Sequence, residues 1–218
     1  MIGEGSVADY WYVFLTGALT TIWISWLALL SGGTIGAVVA HMRIARAPAL
    51  RLVALCYTEL FRSIPPLMLF FGCYYGISYA FNLNLTPFTA ATLALTLTAS
   101  SLMAEVVRSG IESVAAGQWL AATAAGMRPL QTMRYVVWPQ AVRVCLPPAT
   151  GVYIATLKDS SVASVIGYLE LTRSGLLVRE TTGDSFEVFM IIAAIYFAVN
   201  YTMSLAGGAF ERKFKLVG

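Results

Sequence analysis

Four ionisable residues stand in or beside stretches otherwise apolar enough for a lipid bilayer: Glu59, Arg62, Lys158 and Asp159, the last two followed by Ser160 and Ser161. A charge at membrane depth is costly, so it faces a cavity or a partner and marks a path for a polar solute. Arg62 or Lys158 can attract a carboxylate, Glu59 or Asp159 an ammonium, and the two serines can donate hydrogen bonds. That is chemistry for a zwitterion. The competing reading is internal ion pairing or snorkelling to an interface, since Glu59 and Arg62 lie three apart on one helical face. Glu105 and Arg108 share that spacing near the end of an apolar stretch and read as a structural pair.

The elements that must position these groups follow from composition. Of 218 residues, 58% are apolar and only 11% charged, and the mean hydropathy is +0.74. These values lie well outside soluble globular usage, so the expected class is an all-α integral membrane protein forming one transmembrane domain over 1–218. The formal net charge of +3 is too small and scattered to point to nucleic acid. Cys56, Cys73 and Cys145 lie in apolar surroundings without CxxC spacing, so buried thiols are expected rather than disulfides or a metal site. No GxxxxGK[ST] occurs, so nucleotide energy must come from a partner.

Bilayer helices need about 20 apolar residues each. Spans are expected at about 12–40, 53–81, 88–107, 146–166 and 188–210. The N-terminus has Glu4 and Asp9 where a signal peptide has basic residues, so the first span is expected to be retained. Gly17, Gly32, Gly33 and Gly36 can let another helix approach it closely, and His41 at its end reads as interfacial. Pro65 and Pro66 should break or kink the second span. Asn82, Asn84 and Pro87 mark the turn into the third. The segment 167–187 carries Glu170, Arg173, Arg179, Glu180, Asp184 and Glu187 and reads as an acidic external loop.

Basic residues set the orientation. Arg43, Arg46 and Arg51 follow the first span, Arg108, Arg128, Arg134 and Arg143 flank the central loop, and Arg212, Lys213 and Lys215 form the tail. By the positive-inside rule the N-terminus is outside, the C-terminus inside, and the loop at about 110–140, between spans 3 and 4, is cytoplasmic. This loop reads as two helices. Alanines at 121, 122, 124 and 125 favour the first, Gly126 supplies a residue able to take φ > 0 at its end, and Pro129 suits the first turn of the second, which Pro139 should end. A narrow alanine surface fits a groove on another protein; an alanine-rich connector lying on the membrane is the other reading.

Ala121, Ala122, Gly126, Val136 and Pro139 follow a pattern that resembles the cytoplasmic coupling motif of ATP-binding-cassette importer permeases. More narrowly, ELFRSIPPL (59–67), GIESVAAGQWLAATAAGM (110–127), RYVVWPQAVRVCLPP (134–148) and LKDSSVASVIGYLELT (157–172) look like the polar-amino-acid subfamily. Its permeases import glutamate, aspartate, glutamine, histidine, arginine or related compounds such as opines. The resemblance implies that Gly117, Gln118, Ala121, Ala122, Gly126 and Pro139 couple to a cytoplasmic ATP-binding-cassette ATPase dimer, which uses ATP and Mg while this chain binds no cofactor and catalyses nothing. It also implies a second permease (the same chain or a paralogue), an extracytoplasmic solute-binding protein that meets the outer loops, above all 167–187, and a bacterial cytoplasmic (inner) membrane. Leu120 stands where the family usually has glutamate, and Trp138 where it has leucine. An ATP-independent secondary transporter and a membrane scaffold are the alternatives; no internal repeat supports the former.

Overall fold

The computed structural model describes residues 6–214; Glu4 and Lys215 lie outside the described residues. A 3₁₀ turn at Val7–Tyr10 leads into α1, Trp11–Ile44, which no charge interrupts before His41 and Arg43. Helix α2, Pro48–Ser63, stops at the prolines, and the chain restarts as α3, Pro66–Phe71, continuing through a π turn at Gly72–Gly76 into α4, Ile77–Phe81. The two halves meet at 108°. Pro65 and Pro66 lack the N–H groups that a continuing helix needs, so the expected kink is realised as a break. Asn82 ends α4 in the left-handed conformation at φ 51°, and Thr86 caps α5, Pro87–Glu112, by accepting from the Thr89 N–H.

After α5 the chain forms α6, Ala116–Ala124, and α7, Pro129–Thr132. A π turn at Met133–Val137 then merges without a stop into α8, Trp138–Asp159. The expectation that Pro139 ends a helix is therefore corrected. Proline is disruptive only where an i→i−4 bond is needed, and Pro139 occupies the first turn of α8 just beyond the π turn. Helix α8 passes through Pro147 and Pro148 and runs into a 3₁₀ helix at Ser160–Ile166. Two more helices follow: α9, Leu171–Thr182, and α10, Ser185–Phe214.

Among the described residues, Val7–Ile44, Pro87–Glu112 and Ser185–Ala209 are long and apolar enough to cross a membrane, and the bent pair Pro48–Ser63 with Pro66–Phe81 makes a fourth candidate. The region expected as a further span, 146–166, is instead divided between α8 and the 3₁₀ helix, with Lys158 and Asp159 at the junction. The molecule is an all-helical integral membrane protein.

Lipid offers helices little hydrophobic reason to associate, so close packing through small residues decides the arrangement. Gly32 and Gly36 of α1 lie directly on Ala99, Ser100 and Ala104 of α5, and Gly17 lies on Leu171 and Ser174 of α9, whereas Gly33 faces open space. One core gathers Ile24, Phe70, Leu95 and Ile166; a second joins Phe14, Leu171, Val178 and Val188; a third joins Ala40, Val107, Ile111 and Val137. Trp11, Trp23, Leu30, Val38 and Phe197 remain exposed, as apolar surface facing lipid should. Cys73 and Cys145 are buried as expected, but Cys56 is exposed, because it stands on the unpartnered side of α2.

The segment 167–187 is likewise not the expected loop. It holds α9, whose Leu171, Ser174, Gly175 and Val178 are buried. Glu170 is fully buried at its N-cap, accepting from the Thr172 and Arg173 N–H groups at 2.8 Å each and from the Tyr196 hydroxyl at 2.9 Å. Burial pushes this carboxyl above the ordinary glutamate range, while the bonds donated by Thr172, Arg173 and Tyr196 pull the other way.

Candidate coupling surface and solute path

Helix α6 is short, and its two ends fix how it is presented. At its C-terminal end Gly126 has φ +75°, its N–H donates to Thr123 O at 3.0 Å, and the Met127 N–H donates to Ala122 O at 3.1 Å. That pair of bonds is the Schellman arrangement, which an L-residue can enter only with strain. The Arg128 N–H, bonded to Gln131 Oε1 at 2.8 Å, then directs the chain into α7.

Ala122 is buried and Trp119, three residues before it, packs on the core of Val114, Val137 and Ala141. This edge anchors the helix. Gly117, Gln118, Ala121, Gly126 and Pro139 are all exposed, so five of the six expected coupling residues are available to a partner while Ala122 holds the helix down. Leu120 is 70% exposed among them. An apolar side chain therefore sits where the resemblance calls for a carboxylate. Trp138 does not reach this surface; its ring stacks on His41 of α1 with centroids 5.5 Å apart, tying α8 to the end of α1.

The residues expected to line a path fall into two groups. Glu59 and Arg62 pair at 3.8 Å on an exposed face of α2. Arg62 also lines a cavity of about 280 Å³ shared with Glu105, Ser109, Gly110, Val144 and Pro148. Glu59, Lys158, Asp159, Ser160 and Ser161 are not among its lining residues. Lys158 is exposed, and both serine hydroxyls already donate at 2.7 Å to their own helix, Ser160 to Leu157 O and Ser161 to Lys158 O. Their protons are committed to the backbone.

Sequence reasoning missed Arg43 as a structural residue. Its Nη1 donates to Thr58 Oγ1 at 2.9 Å and to Glu105 Oε2 at 3.2 Å, so one guanidinium joins α1, α2 and α5. Glu105 also pairs with Arg108, as its spacing predicts, and Arg108 reaches on to Glu112. The available signal was a cation and an anion at the ends of two neighbouring apolar helices, each needing a partner.

A family of transport subunits accounts for this arrangement. Residues 32–216 match the family described as the binding-protein-dependent transport system inner membrane component. The chain belongs to that family. Among the members it resembles are the probable glutamine ABC transporter permease protein GlnP of Bacillus subtilis (strain 168), 32% identical over 198 residues covering 89% of this chain and 90% of that one. The glutamine transport system permease protein GlnP of Escherichia coli (strain K12) is 32% identical over 206 residues, 94% of each chain. The L-cystine transport system permease protein TcyB of Bacillus subtilis (strain 168) is 33% identical over 206 residues, 94% of this chain and 88% of that one. The crystal structure of an amino acid ABC transporter with histidines superposes with a TM-score of 0.89 at 36% identity, covering 94% of this chain and 96% of its own. An inward-facing MetNI methionine ABC transporter shares the fold, with a TM-score of 0.80 at 21% identity over 94% of this chain and 97% of its own.

Proposed function

We propose that this chain is the membrane-spanning permease subunit of an ATP-driven importer that carries a polar amino acid into the cytoplasm. The observation that carries the reading is the geometry of α6: a helix held to the core by Trp119 and Ala122, closed by Gly126, and otherwise open to a partner. Its relatives in glutamine and L-cystine transport systems supply the substrate class.

In this reading five crossings place the N-terminus outside and α6 in the cytoplasm, in the inner membrane of a bacterium. Two permeases, identical or paralogous, enclose the path, and two ATPase subunits grip the surfaces around Gln118, Ala121 and Gly126. ATP and Mg act in those partners. ATP binding favours one state of the permease pair only through contacts that differ between states, so α6 must transmit force without bending. Its anchored edge and Schellman end support that requirement. A solute-binding protein delivers the amino acid at the outer surface, where Glu180, Asp184 and Glu187 are exposed.

The cavity beside Arg62 suits the carboxylate of an amino acid, because the Arg62 guanidinium borders it while Glu105 on its wall is already paired with Arg43 and Arg108. Lys158 and Asp159 do not line this cavity and are left out of the proposed path. Uptake of labelled polar amino acids into vesicles containing the chain with its ATPase and binding protein tests the proposal. Accumulation that requires ATP supports it. Accumulation without ATP that collapses with the proton gradient would establish the secondary-transporter alternative.

A further inference from the structure

The end of α1 opens into a second, larger hollow that the transport path does not use. It has a volume of about 1240 Å³ and is bordered by the α1–α2 turn on one side and by Trp119, Pro129 and Met133 of the coupling region on the other. Four arginines line it: Arg43, Arg46, Arg51 and Arg108. Two are neutralised, since Arg43 pairs with Glu105 and Arg108 with Glu105 and Glu112. Arg46 and Arg51 pair with no carboxylate among the described residues, and Arg51 Nη2 is steered across the turn by a 3.1 Å bond to Ala45 O. Two uncompensated guanidinium groups therefore stand at one rim.

A groove adjoins the hollow, sharing His41 and Ala45 with it and adding Ala37, Val38, Met42 and Leu50. This groove is almost wholly apolar. From Ala45 back to Ala37 it follows α1 for about 12 Å at 1.5 Å per residue, running from the helix end toward the middle of its apolar length. Val38 is 62% exposed and Leu50 46% exposed along it.

A basic hollow at a helix end that continues into an apolar furrow fits a molecule with an anionic head and a hydrocarbon tail. We propose that the α1–α2 turn is a binding site for an anionic phospholipid, the phosphate held between Arg46 and Arg51 and an acyl chain laid along Val38 and Met42. Basic pockets at the cytoplasmic ends of membrane helices take such head groups. The site rests on the reading that α1 crosses the bilayer with Ile44 at its cytoplasmic face. A zwitterionic lipid would bring its ammonium against the two arginines, and a free phosphate would leave the furrow unfilled. Trp119 and Met133 form the far wall, which places the head group beside the coupling region.

Native mass spectrometry of the purified full chain, with whatever subunits co-purify, tests the site. Phosphatidylglycerol, phosphatidylethanolamine with the same acyl chains, and sn-glycerol 3-phosphate are titrated in parallel. Phosphatidylglycerol should bind roughly tenfold or more tightly than either competitor. Each arginine near the head group contributes roughly fivefold, so the Arg46→Gln/Arg51→Gln variant should weaken phosphatidylglycerol about 25-fold while binding phosphatidylethanolamine as before. Equal binding of the two lipids overturns the proposal, and that comparison needs no variant. Glycerol 3-phosphate binding as tightly as phosphatidylglycerol identifies a free-phosphate site instead. Displacement of phosphatidylglycerol by a co-purified ATPase assigns the hollow to that subunit. Uptake lost with lipid selectivity intact counts against the importer reading alone, and uptake retained without selectivity counts against the lipid site alone.

Discussion

A Cβ placed on Gly36 would come within 2.7 Å of the Ser100 carbonyl oxygen, so α1 and α5 touch backbone to backbone at this point. The contact has no slack, because the opposing atom belongs to a helix and not to a flexible side chain.

Gly36→Val should destabilise the protein by about 1–3 kcal/mol through overpacking. Gly33→Val, three residues away on a side with nothing within 4 Å, should melt like the wild type. Thermal unfolding of both variants in detergent makes the comparison; similar losses in the two would remove the argument for a close α1–α5 seam.

At Gly126 the constraint is conformational and not spatial, for an added Cβ meets nothing while φ is +75°. A β-branched residue there costs about 1–2 kcal/mol, enough for roughly a tenfold loss of correctly presented helix. ATP-driven uptake should fall in Gly126→Val with membrane abundance unchanged, and Gly126→Asn should retain most of it, because asparagine enters the left-handed region more readily. Equal uptake by wild type and the valine variant would refute the proposed docking geometry.

Glu59 and Glu105 should separate a loose surface pair from a structural one. The Glu59–Arg62 pair is exposed and long, so Glu59→Gln should shift stability by under about 0.5 kcal/mol. Glu105→Gln leaves both Arg43 and Arg108 short of a partner and should cost about 1–3 kcal/mol. Melting curves read the difference directly. A transport defect in Glu59→Gln would then report on Arg62, whose guanidinium it pairs beside the cavity, and not on folding.

Glu170 gives the protein a pH dependence of definite sign. Its folded-state proton affinity is raised by burial, so the fold holds the proton more tightly than the unfolded chain does. The stabilisation is complete below the ordinary glutamate range and is lost as pH rises through the raised value. Glu170→Gln, which removes the titration and turns an NH2 group toward one of the backbone donors, should lower the melting temperature and flatten its dependence on pH across that window. An unchanged slope in the variant would show that another group is responsible.

Much of this architecture is written in local chemistry. The break at Pro65 and Pro66, the turn at Asn82 and the closure of α6 by Gly126 each depend on one residue's own backbone preferences, and each is found where those preferences put it. Helix α9 was illegible for the opposite reason. Its buried face mixes Leu171 and Val178 with Ser174 and Gly175, and charges between them dominate the pattern. Only the close approach of Gly17 reveals why small residues are required there. Pro139 misled because a proline near a helix start and one near a helix end look alike until the preceding turn is known. The pairing of Arg43 with Glu105 bridges 62 positions and belongs to no local pattern. Ser160 and Ser161 were legible as polar, but not as donors already engaged by their own backbone.

The elbow between α2 and α3 limits what the chain can do when it moves. With prolines at 65 and 66, two of the amides that would stitch a straight helix across the corner do not exist, so the two segments cannot merge into one continuous helix. Arg62, one turn before the corner, and Phe70, packed in the core just after it, thus belong to two separate levers. Either lever can turn about the corner without unwinding a helix, because no helical hydrogen bond spans it.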